Sequence, residues 1–230
     1  MGTITKENRG DSQVTKISSA IVIAVPYRKA ERKSMYMFLK RAIDIIVGLL
    51  ILIVVLSWLF PLLAILIGLS SKGGVLFIQK RIGKNGKIFR CYKFRTMVIN
   101  EDADVAEARL NDKRITGIGK WLRRTYIDEL PQIINVLAGD MSIVGPRPHM
   151  LYHHRKFCAE LTNYNYRHQV RPGITGLSQV KGYHGAMFDP YLLRGRTKLD
   201  LFYVENVSFK MDMMILMKTL LIFSANKKER

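Results

Sequence analysis

Residues Arg123 to Gln132 read RRTYIDELPQ, placing an acidic pair, Asp128 and Glu129, behind two arginines and ahead of Pro131. Adjacent carboxylates beside fixed cations suit phosphoryl transfer. One carboxylate attacks phosphorus while its neighbour holds a divalent metal. Arg123 and Arg124 supply charge for an anionic substrate. A plainer reading uses the same residues. Thr125 stands three positions before Asp128, the spacing of a helix-capping box with Asp in place of Glu or Gln. Acids in a first helical turn are also stabilised by the helix dipole. The local pattern leaves both readings open.

Further candidates lie on either side of the pair. In Gly145-Pro146-Arg147-Pro148, two prolines fix φ on both sides of Arg147 and stiffen the backbone that presents it. Such an arginine suits phosphate binding, although an ordinary proline-rich loop has the same composition. Arg171 opens RPGITG, a turn-rich loop whose glycines would allow close backbone approach to a ligand. Its spacing matches neither a Walker nor a dinucleotide motif. Asp200 adds an acid within an apolar frame. His149, His153 and His154 lack a supporting acid or second ligand cluster, so the expectation is surface histidines, not metal ligands.

These residues need elements to position them. Val75–Gln79 and Ile88–Thr96 are β-like runs separated by Lys84-Asn85-Gly86-Lys87, and Asn-Gly is a strong hairpin signal. Period two in the second run would put Lys93 and Arg95 on one face, either solvated or gripping phosphate. Glu101–Leu110 reads as a polar surface helix. Ile133, Ile134, Val136 and Leu137 make an amphipathic continuation that Gly139 would cap. Val207–Phe223 suits either core packing or an interfacial membrane helix.

Ile45–Leu69 carries no charged residue and is long enough to embed in a membrane. Both flanks are basic, and the positive-inside rule would keep both in the cytoplasm. Pro61 breaks or kinks a helix, and Ser57 stands four residues before it to pair a freed backbone group. A re-entrant helix-break-helix reconciles these features; a single tilted span is the alternative.

Lys and Arg number 37 against 18 Asp and Glu, a formal charge of +19. That excess points to nucleic acid, anionic lipid or phosphorylated substrates. The chain has no zinc-finger or RNP signature, which argues against nucleic acid. Cys91 and Cys158 lack metal-type spacing and suggest a reduced, cytosol-facing setting. Residues 1–26 read as a polar tail without a secretory signal, and Tyr27–Arg41 as a basic segment at an anionic membrane surface.

KFRTM (93–97), DELPQIINVLAGDMSIVGPRP (128–148) and RPGITGLSQV (171–180) together resemble the bacterial sugar transferase family, the minimal monotopic polyprenyl-phosphate glycosyl-1-phosphate transferases. The resemblance runs from about Lys40 to Phe223. It implies transfer of a sugar-1-phosphate from a UDP-sugar to undecaprenyl phosphate, with UMP leaving, by a ping-pong route that requires Mg²⁺. By resemblance the nucleophile falls on Asp128 and the metal-binding glutamate on Glu129. The phosphate-binding arginines fall on Arg123 and Arg147, the active-site lysine on Lys93 and a late active-site aspartate on Asp200. Arg95 and Arg171 join them as candidate substrate contacts. The family breaks its re-entrant helix at Ser-Pro; here Phe60 precedes Pro61.

The expected fold is α+β, mainly helical: a monotopic membrane protein with a re-entrant anchor and a small β-hairpin beside a cytoplasmic catalytic domain. The expected divisions are 1–40, a tail and basic interfacial segment; 41–71, the re-entrant helix; and 72–230, the catalytic domain. The expected location is the bacterial inner membrane, and a homodimer is compatible with the apolar anchor. Two other classes compete: a membrane-tethered binder of anionic lipid or nucleic acid, and a non-catalytic scaffold for envelope polysaccharide assembly. Convergence of the acids and basic residues on one site would favour the enzyme. The sugar is not legible, because Val180–Thr197 carries no readable code.

Overall fold

The computed structural model describes residues 33–99, 112–183 and 190–225. The expectations for the N-terminal tail, for Glu101–Leu110 and for part of Val180–Thr197 lie outside them. The described chain is mainly helical, with two two-stranded sheets.

The uncharged run forms one long helical element. Helix α1 (Lys33–Ile51) passes through a π-helical turn at Leu52–Leu56 into α2 (Ser57–Ser70), which contains Pro61. Proline lacks a donor, and the π turn shifts the local hydrogen-bond register. Ser57 Oγ donates to the Ile53 carbonyl at 2.6 Å, and Trp58 Nε1 donates to the Val54 carbonyl at 2.9 Å. Ser57 therefore pairs the Ile53 oxygen one turn back, not its own carbonyl, which is the group Pro61 frees, and the break is a π turn, not an interruption. One side of the element packs on the globular body through Leu56, Leu63 and Ile67. The other exposes Ile46, Leu50, Ile53, Val54, Trp58, Ile65 and Leu69.

Strands β1 (Leu76–Ile82) and β2 (Ile88–Phe94) form the expected antiparallel hairpin. Asn85 and Gly86 both take positive φ, 55° and 76°, the conformation that Asn-Gly accommodates best. Helix α3 (Gly117–Arg124) is capped by Thr116, whose Oγ1 accepts from Gly119 N at 3.0 Å. A Cβ at Gly119 would meet the Thr96 carbonyl at 2.0 Å, so only glycine lets α3 approach the hairpin exit this closely. Helix α4 (Gln132–Ala138) ends at Gly139 with φ 91°, the left-handed cap expected there.

Strand β3 (Ser142–Val144) pairs in parallel with β4 (Gly173–Thr175). The sequence suggests only a loop at RPGITG, so this strand is a correction. Its glycines let two backbone segments approach closely. A Cβ on Gly173 would lie 2.1 Å from Gly145 N, and one on Gly176 would lie 2.3 Å from the Gly145 carbonyl. Helix α5 (Leu151–Glu160) and a 3₁₀ turn at Tyr164–Gln169 follow β3. After β4 come α6 (Leu177–Val180), α7 (Pro190–Asn206) and α8 (Phe209–Ala225).

The histidines correct the surface expectation. His149 and His153 are buried, packed with Phe157, and His149 also stacks on Tyr164. Burial holds His149 well below the usual imidazole range and His168 down at about 2, so both stay neutral in the core. Helix α8 packs in the core on one side, where Asp212 and Ile215 are buried, and leaves Met213, Met217, Leu220 and Leu221 exposed on the other.

Helix α1 is fastened to the body by polar contacts. Asp212 Oδ2 accepts from Lys40 Nζ and from Tyr36 OH, both at 2.5 Å, while Oδ1 accepts from Tyr203 OH at 2.8 Å. Asp44 accepts from Ile143 N at 3.0 Å. Arg41 donates to the Val136 and Leu137 carbonyls at 2.6 and 2.9 Å, satisfying the end of α4.

Candidate active site

Asp128 and Glu129 do not begin a capped helix. Thr125 closes α3 instead, its Oγ1 donating to the Trp121 and Leu122 carbonyls at 2.9 and 3.1 Å. Tyr126 then takes a left-handed conformation, φ 58°, rare for a bulky residue. The chain reverses into a single 3₁₀ turn, Ile127–Glu129, that carries both carboxylates. Asn135 of α4 clamps this region to the hairpin. Its side chain accepts from Tyr92 N at 3.0 Å and donates to the Arg90 carbonyl at 2.6 Å. Lys93, one residue along β2, is thereby presented to the turn.

The two carboxylates, though adjacent, meet different surroundings. Glu129 Oε1 accepts from Lys93 Nζ at 2.7 Å and from Arg147 Nη2 at 2.5 Å, and Oε2 accepts from Arg147 Nη1 at 3.1 Å. Burial alone would raise its pKa, but Arg147 and Lys93 more than offset that and hold it well below the carboxylate range. The Asp128 carboxylate, also buried, accepts no hydrogen bond among the described residues. Desolvation pushes its pKa up to about 6, and repulsion from Glu129 adds to this against the pull of Lys93, Arg123 and Arg147. Glu129 is an ionised, fully gripped anion. Asp128 is an oxygen base with nothing attached to it.

Arg147 is held by its own backbone as well as its side chain. The Pro146 carbonyl accepts from Gly173 N at 3.0 Å, the Arg147 carbonyl from Arg167 Nη2 at 2.7 Å, and the Pro148 carbonyl from Arg81 Nη1 at 2.6 Å. Three successive carbonyls are thus fixed by β4, the 3₁₀ turn and β1. Arg167 is itself set by Asp200, with Nη2 and Nε donating to Oδ2 at 2.6 and 3.1 Å, and Ser178 Oγ donates to Asp200 Oδ1 at 2.9 Å. This ion pair is essentially fully buried, each side chain 1% exposed.

The structure brings together Asp128, Glu129, Lys93, Arg147 and Arg123. Arg123 Nε donates to Thr96 Oγ1 at 2.8 Å, and its charge acts on Asp128. Asp200 reaches this group only through Arg167 and the Arg147 carbonyl. Two expected contacts are directed elsewhere. Arg95 lies beyond the end of β2, so the period-two argument fails for it. Its guanidinium donates to the Ile67, Ser71 and Lys72 carbonyls and caps α2. Arg171 Nε donates to the Gly139 carbonyl at 2.8 Å, at the far end of α4. Sequence reasoning missed Arg81, Asn135 and Arg167. Each acts through a backbone atom remote in sequence, a pairing that leaves no local pattern.

Among the described residues no three His, Cys, Asp or Glu side chains group as a metal cage. Mg²⁺ does not need one, since it is commonly held by one or two carboxylates plus substrate phosphates and water. Glu129 Oε2, with a single 3.1 Å partner, keeps acceptor capacity for such an ion.

Comparison with known proteins matches the bacterial sugar transferase family over residues 35–226. A UDP-glucose:undecaprenyl-phosphate glucose-1-phosphate transferase of Klebsiella pneumoniae is 41% identical over 90% of this chain and 44% of that protein. A UDP-N-acetylgalactosamine-undecaprenyl-phosphate N-acetylgalactosaminephosphotransferase of Aeromonas hydrophila is 44% identical over 80% of this chain and 43% of that protein. The exopolysaccharide production protein PSS of Rhizobium leguminosarum bv. phaseoli is 46% identical over 80% of this chain and 94% of that protein. The chain therefore spans less than half the length of the first two relatives and corresponds to nearly all of the third.

Proposed function

The chain belongs to the bacterial sugar transferase family, and from that premise we propose that it transfers a sugar-1-phosphate from a UDP-sugar to undecaprenyl phosphate. The observation that carries the reading is the convergence of Lys93, Arg123 and Arg147 around a gripped Glu129 and an unpaired Asp128. A lipid or nucleic-acid binder has no use for an acid pair in the middle of its cations. A scaffold has no reason to keep a buried carboxylate without a hydrogen bond.

Asp128 attacks the phosphorus that bears the sugar. The bond from that phosphorus to the bridging oxygen breaks, and UMP leaves with the electron pair. An oxygen of the polyprenyl phosphate then attacks the same phosphorus. The Asp128–phosphorus bond breaks, the carboxylate is restored, and the product is a polyprenyl-diphosphate-sugar. Arg147 and Lys93 neutralise charge on the transferring group, and Arg123 steadies Asp128 from the other side. Mg²⁺ bound through Glu129 and the donor phosphates would add a further positive charge at the same point. Asp200 and Arg167 hold Arg147 in place from a buried ion pair.

The apolar element α1–α2 is read as a re-entrant anchor in the inner membrane, with the catalytic body on the cytoplasmic face. Its two ends support this. Lys40, Arg41 and Asp44 near the start, and Ile67 and Ser71 at the finish, all meet the same globular body. Leu56 and Leu63 between them also pack on the body, so the element lies against it along much of its length instead of leaving it for the far side of a bilayer. The exposed apolar side between those ends suits hydrocarbon.

The test is UMP release from a panel of UDP-sugars, with and without undecaprenyl phosphate, in the presence of Mg²⁺. Lipid-dependent turnover with one donor supports the reading and identifies the sugar. Folded protein that releases no UMP from any donor overturns it.

A further inference from the structure

Helix α8 carries an apolar stripe that is exposed among the described residues. Met213, Met214, Met217, Leu220 and Leu221 recur at helical spacing and are 37–64% exposed, while Asp212, Ile215 and Thr219 face the body. At one end of the stripe, Asp212 joins α8 to α1 just where the basic turn of α1 gives way to the apolar run. At the other end, the Phe223 ring packs edge-on against Tyr126, with centroids 5.2 Å apart. Tyr126 is the left-handed residue two positions before Asp128, and its ring is 41% exposed. The stripe thus runs about 15 Å, at 1.5 Å per residue, from the membrane-side fastening to the catalytic turn.

We propose that this stripe, ending in the Tyr126–Phe223 pair, is the seat of the acceptor's polyprenyl chain. It would guide the lipid phosphate to Asp128. The proposal rests on the transferase reading above. It explains why a bulky aromatic occupies a strained position beside the nucleophile: the left-handed turn sends the ring outward to meet α8 while the carboxylate turns inward. It also explains an exposed methionine-rich face, since flexible thioether side chains adapt to a chain of varying conformation. A hydrocarbon occupant fits because the five stripe residues are uncharged, with Lys210 on the same face only before the stripe begins and Lys218 along its flank, and because the stripe continues into a site built for phosphate.

The test is photo-crosslinking of the full chain in detergent micelles with a polyprenyl phosphate bearing a photoreactive group near its phosphate end, mapped by mass spectrometry. Crosslinks on Met213–Phe223 or Tyr126, competed by undecaprenyl phosphate but not by a bulk phospholipid, support the seat. Crosslinks confined to α1–α2, or competed equally by bulk phospholipid, overturn it; the second result makes α8 a general bilayer contact. The double variant Met213→Ser, Met214→Ser, at the end of the stripe farthest from Phe223 and beyond the reach of ten carbons, gives a kinetic arm. The KM for undecaprenyl phosphate rises about tenfold, from the lost apolar burial, while that for a ten-carbon prenyl phosphate rises less than about twofold. Equal losses on both acceptors, or conversion of a dimer to a monomer in light scattering, contradict the seat, the latter assigning the stripe to a second copy. Absence of turnover in the wild type overturns the transferase reading, and the crosslink map then still decides the seat.

Discussion

Two buried aspartates of this protein are treated in opposite ways. Asp212, where α8 meets α1, receives Lys40, Tyr36 and Tyr203, and both of its oxygens are satisfied. Asp128 is similarly buried, 8% exposed against 5%, and receives no hydrogen bond among the described residues. The first arrangement holds an apolar helix to a polar body. The second destabilises the folded chain locally, and such a cost persists where a reactive group is needed. The contrast separates the fastening of the molecule from its chemistry, and the two should break in different ways.

The largest effect is expected from Asp128→Asn. With the attacking oxygen replaced, turnover should fall by at least about 10³-fold, measured as UMP release. The same substitution should leave thermal stability unchanged or raised at neutral pH. Asp212→Ala should do the reverse. It strands the Lys40 ammonium in a buried setting, and unfolding in detergent should show a loss of about 3–5 kcal/mol. Activity per folded molecule should stay close to wild type. If Asp212→Ala abolished turnover in fully folded protein, the division between fastening and chemistry would fail.

Arg167→Lys tests the layer between these extremes. It loosens the fork that joins Asp200 to the Arg147 carbonyl, and lysine cannot reproduce it. Turnover should drop about ten- to a hundredfold, mainly in kcat, because a misplaced Arg147 weakens transition-state contacts. An unchanged kcat with an intact fold would remove Arg167 and Asp200 from the account.

The smallest effect concerns pH. Asp128 titrates at about 6 in the folded protein, above its ordinary 3.8, so its charged form is disfavoured by folding. In the proposed mechanism ionised Asp128 is the attacking species. The acidic limb of the donor half-reaction should therefore fall as pH drops through about 6. The stability advantage of Asp128→Asn should shrink over the same range, because wild-type Asp128 takes up its proton there. A limb centred near 4 would show that the carboxylate is better solvated than its surroundings indicate.

Much of this site was legible in sequence because its parts are local. The Asn-Gly turn predicted the hairpin, Gly139 predicted the end of α4, and the two prolines marked Arg147 as stiffened. Period two put Lys93 and Arg95 on one face without saying what that face meets, and the Lys93–Glu129 contact is visible only in the fold. The period failed at Arg95, where the strand has ended and carbonyls at the end of α2 compete for the guanidinium. The capping-box reading of Thr125 failed because Tyr126 leaves the helical region and turns the chain. Strand β4 was hidden because three residues pairing with a partner about thirty positions away leave no periodicity to read. The buried histidines were misjudged for a related reason: Phe157 lies one turn after His153 in α5, but Tyr164, which closes over His149, comes from a separate turn that only the fold brings there. Arg167 shows what no local pattern can show, a side chain whose role is to hold another residue's carbonyl.

The central claim is that Asp128 itself carries the transferring group. The most direct measurement is mass spectrometry of the intact protein after incubation with its UDP-sugar donor and Mg²⁺, without lipid acceptor, followed by peptide mapping. The account predicts a mass gain of one sugar-phosphate on the peptide containing Asp128, released as UMP forms in equal amount and lost when undecaprenyl phosphate is added. UMP that forms only when the acceptor is present, with no adduct on a fully active protein, would contradict it and make Asp128 a partner in a single-step transfer.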